Sequence, residues 1–210
     1  MEVLGNSSIG EHTHVGFNCI IGYPSAATLK KINSNKDFLD SGKGANIGKN
    51  CVIRPNTHIY ESVNISDNVR TGHNVLIREN TKIGKNVVIG TNSIIENNCK
   101  IGNNVSVQSN VYIPTNTTIK DFVFIGPNVC LTNDRYPVRI KSKLTGPTIE
   151  NGVSIGANAT ILPGIKIGKG SFVAAGALVT KNIRPWKLAV GMPAKELDLP
   201  RKLLKLNKIR

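Results

Sequence analysis

Two side chains in this sequence of 210 residues stand where chemistry would want them. His73 lies in Thr71-Gly72-His73-Asn74, and an imidazole is the group whose ordinary pKa suits proton transfer near neutrality. Asn133 lies in Leu131-Thr132-Asn133-Asp134-Arg135-Tyr136-Pro137, one position out of step with the asparagines before it. A side-chain amide there can orient a nucleophile through hydrogen bonds. His12, His14 and His58 lack such a context and read as surface or inter-coil residues. Cys19, Cys51, Cys99 and Cys130 contain no CxxC pair, so neither a structural zinc nor a redox motif is indicated, and they read as core filler.

These residues are positioned by a repeat of six. Nearly every sixth residue from Asn50 to Asn116 is asparagine, broken only at Ser62. Three residues before each stands an aliphatic side chain. That column runs from Ile47 to Leu131, is broken only at Thr71, and resumes in the same phase from Ile149 to Val179. A small or β-branched residue follows four positions after each aliphatic, as at Cys51, Val63, Val87 and Val105. Six residues make one short strand and one turn, and three such hexads close a triangular coil. Asparagine tolerates a left-handed backbone better than other non-glycine residues, and glycine adopts it freely. Glycine replaces asparagine at 152, 164, 170 and 176, which marks these as positive-φ corners. The pattern predicts an all-β fold, a parallel β-helix whose coils contact only their neighbours.

Val3, Ile9, Val15 and Ile21 repeat in another phase, so a slip falls within residues 27–46. A second interruption at about 135–146 preserves the phase. Both read as loops extruded from a corner, and loops on a rigid scaffold carry function more often than the scaffold does. The β-helix domain is placed at 1–184 and a C-terminal extension at 185–210. In that extension Leu199, Leu203, Leu204, Leu206 and Ile209 alternate with Arg201, Lys202, Lys205, Lys208 and Arg210. This predicts a short basic amphipathic helix after Pro200, capping the end of the solenoid.

The net charge of +14 favours a polyanionic ligand, either nucleic acid or a small molecule carrying several phosphates. No series of base-stacking aromatics interleaves with the Lys and Arg, which argues against nucleic acid. No signal peptide and no apolar run of spanning length is present, so a cytoplasmic protein without membrane insertion is expected.

Several segments carry a family resemblance. They are Ile155-Gly-Ala-Asn-Ala-Thr-Ile-Leu-Pro-Gly-Ile-Lys-Ile-Gly168, Phe172-Val-Ala-Ala-Gly-Ala-Leu-Val-Thr-Lys181 and Val190-Gly-Met-Pro-Ala-Lys195. Together they resemble the acyl-CoA-binding end of the left-handed β-helix, or hexapeptide-repeat, acyltransferases. Val107–Ile113, Phe124–Asn128 and Leu131–Pro137 resemble, within that superfamily, the N-acetyltransferases of nucleotide-linked amino sugars. The resemblance implies a left-handed prism, a homotrimer, and acetyl-CoA as co-substrate in the groove between adjacent prisms, with no metal required. It implies Asn133 as the residue that positions the amine, with Asp134, Arg135 and Tyr136 as substrate contacts. It implies Ala157, Ala175, Gly176, Lys181 and Pro193 at the coenzyme. His73 is the competing catalytic residue, since related acyltransferases use a His in a Gly-His context as general base.

Register bears on that competition. With the second loop counted as a 12-residue insert, His73 and Ala175 fall on one corner, five coils and roughly 24 Å apart along the axis. Asn133 lies less than two coils from Ala175 along that axis, so an extended pantetheine arm reaches its level more readily. The expected activity is N-acetylation of a nucleotide-linked amino sugar. The alternatives are a saccharide O-acetyltransferase and a non-catalytic trimeric scaffold.

Overall fold

A computed structural model describes residues 1–32 and 42–207. The chain winds as a left-handed parallel β-helix with three flat faces. The first sheet has nine strands, from Glu2–Val3 to Leu178–Val179; the second has eight, from Ser8–Ile9 to Lys166–Ile167. The third has ten strands, beginning at His14–Val15 and ending in Lys187–Val190 and Lys195–Asp198. Most strands are two residues long, and each pairs in parallel with the strand one coil away, as Ile83 with Ile101 and Ile89 with Val107.

The corner prediction holds. Asn50, Asn56, Ser62 and the asparagines from 68 to 116 all have φ between 53° and 65°, and Gly152, Gly164, Gly170 and Gly176 lie near 70°. Several corner side chains form ladders, such as Asn68 to Asn86 to Asn104, each Nδ2 donating to the next Oδ1 at 3.1 Å. The aliphatic column fills the prism, and Ile59, Ile77, Ile89, Ile95, Ile113 and Ile125 are fully buried. Each such side chain contributes roughly 1.5–3 kcal/mol by leaving water. Thr71, the break in that column, is also buried, and its hydroxyl accepts the Arg54 N–H at 2.9 Å.

The three sheets meet along three edges. The first edge joins the first sheet to the second. Both excursions leave from it. One departs after Tyr23, passes through the short helix Ala26–Leu29, and returns at Gly44; Glu61 N–H and Ser62 N–H pair with the carbonyls of Tyr23 and Gly44. The predicted slip segment is partly outside the described residues, at 33–41. The other departs at Asn133 and returns at Thr145, whose N–H donates to the Asn133 carbonyl at 2.9 Å.

The C-terminal extension departs from the expected helix. Lys187–Val190 continues the third sheet and turns back through Lys195–Asp198 as an antiparallel hairpin. The only helix that follows among the described residues is a single 3-10 turn, Arg201–Leu203. The chain then runs back along the side of the prism instead of across its end. Asn207 Nδ2 donates to the carbonyls of Phe122 and Val153, and Leu206 packs on Gly152. Leu199 is buried and Leu203 half-buried, whereas Leu204 and the basic residues Arg201, Lys202 and Lys205 face solvent. Residues 208–210 lie outside the described residues.

Candidate active site

The hydrogen-bond ladder assigns most of the predicted site residues to an edge. The edge joining the third sheet to the first carries His73, Thr91, Ser109, Pro127, Ala157 and Ala175 in order. Each of the first five carbonyls accepts the N–H of the residue following the next: Asn92, Asn110, Asn128, Asn158 and Gly176. The spacing of five coils between His73 and Ala175 is therefore as the sequence implied. The His73 ring is exposed, and its backbone N–H reaches Thr91 Oγ1 at 3.3 Å.

At the C-terminal end of this edge the surface is open. A Cβ added to Gly176 would meet nothing within 4 Å. The turn bearing Pro193 closes over the neighbouring strand, with Leu178 N–H donating to Gly191 and Ala194 N–H donating to Leu178. Gly176 N–H thus pairs with the Ala157 carbonyl at this corner, and the Pro193 turn lies against the strand that follows it.

Asn133 and Lys181 stand on a different edge, the first one, as does the loop with Asp134, Arg135 and Tyr136. Corner positions 61, 79, 97, 115 and 133 succeed one another there, Asn80, Asn98 and Asn116 donating to the carbonyls of residues 61, 79 and 97. Asn133 is half-buried, and its Nδ2 makes only a long 3.5 Å contact with the Thr115 carbonyl, so the amide is oriented without being consumed. Asp134 Oδ1 accepts the Tyr136 N–H at 3.0 Å and the Ser142 hydroxyl at 3.3 Å, which shapes the loop. Against the loop lies a cavity of about 340 Å³, lined by Thr132, Asp134, Arg135, Pro137, Leu162, Pro163, Ile165 and Thr180. Lys181, the next residue, is exposed.

Axial arithmetic made Asn133 and Ala175 near neighbours in height, and they are. It did not register that the whole width of the first sheet separates them. Within one prism, neither His73 nor Ala157, Ala175 and Gly176 share an edge with Asn133, and Lys181, expected with the latter group at the coenzyme, stands instead on the Asn133 edge.

Glu61 escaped the sequence reading. It is only 5% exposed, on the first edge beside the first excursion. Its Oε1 accepts the Ser25 N–H at 2.9 Å and the Thr28 hydroxyl at 2.5 Å; its Oε2 accepts the Lys43 N–H at 3.1 Å. Burial pushes its pKa up, but these hydrogen bonds outweigh burial and bring it to about 2. A signal existed: Ser62, beside it, is the one break in the asparagine column. Three cysteines are buried as read, whereas Cys130 points outward from the first sheet and is half-buried. Among the described residues no group of three or more His, Cys, Asp or Glu could hold a metal, and no helix is long and apolar enough to cross a membrane.

The family model described as bacterial transferase hexapeptide (six repeats) matches residues 80–115, 98–133 and 146–181. The galactoside O-acetyltransferase of Escherichia coli is 40% identical over 81 residues, 36% of this chain and 40% of that protein. A 2,3,4,5-tetrahydropyridine-2,6-dicarboxylate N-acetyltransferase of Staphylococcus aureus is 53% identical over 47 residues, 22% of this chain and 20% of that protein. The chain thus spans two-fifths and one-fifth of these relatives. The UDP-N-acetylglucosamine acyltransferase structure from Arabidopsis is similar over 97% of this chain and 74% of that one, with TM-score 0.57 and 16% identity, a likeness of fold.

Proposed function

We propose that this chain, which belongs to the hexapeptide-repeat family, is an acetyl-CoA-dependent N-acetyltransferase acting on a nucleotide-linked amino sugar in the cytoplasm. The observation that carries the reading is Asn133 at the mouth of an extruded loop, beside a cavity of about 340 Å³. The open corner at Gly176 supports a thioester site.

The division of these groups between two edges favours a homotrimer. A cleft between adjacent prisms joins the Ala175 edge of one copy to the Asn133 edge of the next. In that cleft the amine, deprotonated, needs placement more than activation. Asn133 Oδ1 accepts an amine N–H and aims the lone pair at the thioester carbon. The new C–N bond forms as the C–S bond breaks; CoA leaves as thiolate and takes up the proton shed by the amine. Asp134, Arg135 and Tyr136 contact the acceptor, and Lys181 meets a phosphate.

Incubation with acetyl-CoA and a panel of UDP-, dTDP- and GDP-linked amino sugars tests the proposal. Thiol release with one of them is expected, and none with any amine would sink it. O-acetylation is the second reading, favoured by the similarity to the galactoside enzyme. A hydroxyl needs a base, so that reading requires His73→Ala to abolish turnover.

A further inference from the structure

Most of the described Lys and Arg side chains enter no ion pair. Lys49, Lys85, Arg78, Lys166, Arg184 and Lys187 each lie within ion-pair distance of a carboxylate. What sets the second excursion apart is that it gathers several unpaired cations in one short loop beside a cavity. Arg135, Arg139, Lys141 and Lys143 fall within nine residues, all exposed, and none enters an ion pair among the described residues. The one carboxylate of the loop, Asp134, has Oδ1 engaged by the Tyr136 N–H and the Ser142 hydroxyl. The loop is closed at its base by Thr145 to Asn133 and turned at its tip by Arg139 N–H to the Tyr136 carbonyl at 3.0 Å. These bonds fix the backbone that carries the four cations, and an excess of one charge sign on one loop favours an anionic ligand.

Two further features narrow the anion. Arg135 lines the adjacent cavity, whose other wall is Leu162, Pro163 and Ile165; an apolar wall strengthens charge pairing there. Tyr136, beside Arg135, leaves 48% of its surface exposed. A single aromatic next to guanidinium groups suits one base, not a polynucleotide strand.

We infer that the loop 134–144 binds the diphosphate of a nucleotide through Arg135, Arg139, Lys141 and Lys143, with Tyr136 stacking on the base. This deepens the proposed function and rests on it only for the identity of the ligand. The same chemistry occurs in the nucleoside diphosphate of the acceptor and in the 3′-phospho-ADP end of CoA. Arginine forks match phosphate oxygens in pairs, and the lysines add point charge.

The test is calorimetric titration of the full-length protein with UDP, dTDP, GDP, CoA and inorganic pyrophosphate, repeated on R139Q/K141Q/K143Q and on Tyr136→Ala. The triple variant replaces exposed side chains, so its thermal unfolding serves as the control for folding. Wild-type affinity for a nucleoside diphosphate is expected to fall as salt rises, and the triple variant to bind at least about tenfold more weakly, some 1.4 kcal/mol. Tyr136→Ala is expected to remove the preference for nucleotide over pyrophosphate. Loss confined to UDP, dTDP or GDP assigns the loop to the acceptor; loss confined to CoA assigns it to the donor. Unchanged affinity of the triple variant for all five ligands, or no binding of any of them to wild type, overturns the inference. Absence of acetyl transfer with these binding losses intact removes the proposed activity alone. Transfer at unchanged KM for both substrates in the triple variant removes the loop inference alone.

Discussion

The two excursions leave the same edge of the prism and are held in opposite ways. The first is clamped by Glu61, a buried carboxylate with hydrogen bonds to both limbs, Ser25 and Thr28 on one side and Lys43 on the other. The second is held by its backbone, by Asp134 and by Asn116 Nδ2 donating to the Leu144 carbonyl, with no buried charge, and its cations face solvent unpaired. A buried charge is retained only where hydrogen bonds compensate it, and breaking such a set leaves the remaining donors unsatisfied. The first excursion is thus tied to folding stability. The second is free to spend its charge on a ligand, and it is the one that begins at Asn133.

Breaking the clamp should have the largest effect. Glu61→Ala is expected to cost about 3 kcal/mol in denaturant unfolding while leaving kcat/KM within a few-fold. A loss of activity exceeding the loss of stability would erase the contrast between the loops. At the second excursion the reverse is expected: Asn133→Ala should lower kcat/KM about a hundredfold with unfolding unchanged.

Acid offers a graded version of the first experiment. The folded pKa of Glu61, about 2, lies below the 4.5 of an unfolded glutamate. Its contribution is therefore complete above pH 4.5 and disappears as pH falls toward 2, a change on the order of 3 kcal/mol. Glu61→Gln should flatten that part of the stability–pH curve, and an unaltered slope would show that other groups control it.

Two smaller effects sharpen the comparison. His73→Ala, on the other edge, is expected to change turnover less than about threefold; a loss of two orders would favour hydroxyl acetylation and a base at that position. Val138→Ser, at the fully exposed tip of the second loop, should shift stability by no more than about 0.5 kcal/mol.

Much of this was legible without a structure because a solenoid is nearly one-dimensional. The period of six predicted the buried column, the positive-φ corners and the height of each residue along the axis. Asn133 stood out because it falls beside the lattice instead of within it. Less legible were the residues that depend on lateral position. Glu61 looks in sequence like any surface carboxylate, and its burial follows from a loop folding back over it. The C-terminal leucines alternate as a helix would, yet Leu206 finds its partner in Gly152, a contact no local pattern records.

The sequence by itself determined the coil, its register and the places where loops leave, since each hexad is a local decision made by one corner residue and one inward side chain. Register also put His73 and Ala175 on one corner, and the tertiary structure showed that the width of a sheet parts that corner from Asn133. His73, Ala175 and Gly176 lie on one edge, and Asn133, Lys181 and the basic loop lie on another. Height along the prism adds up from spacing alone, whereas placement around it depends on where the two insertions restart the count and on what then packs against them.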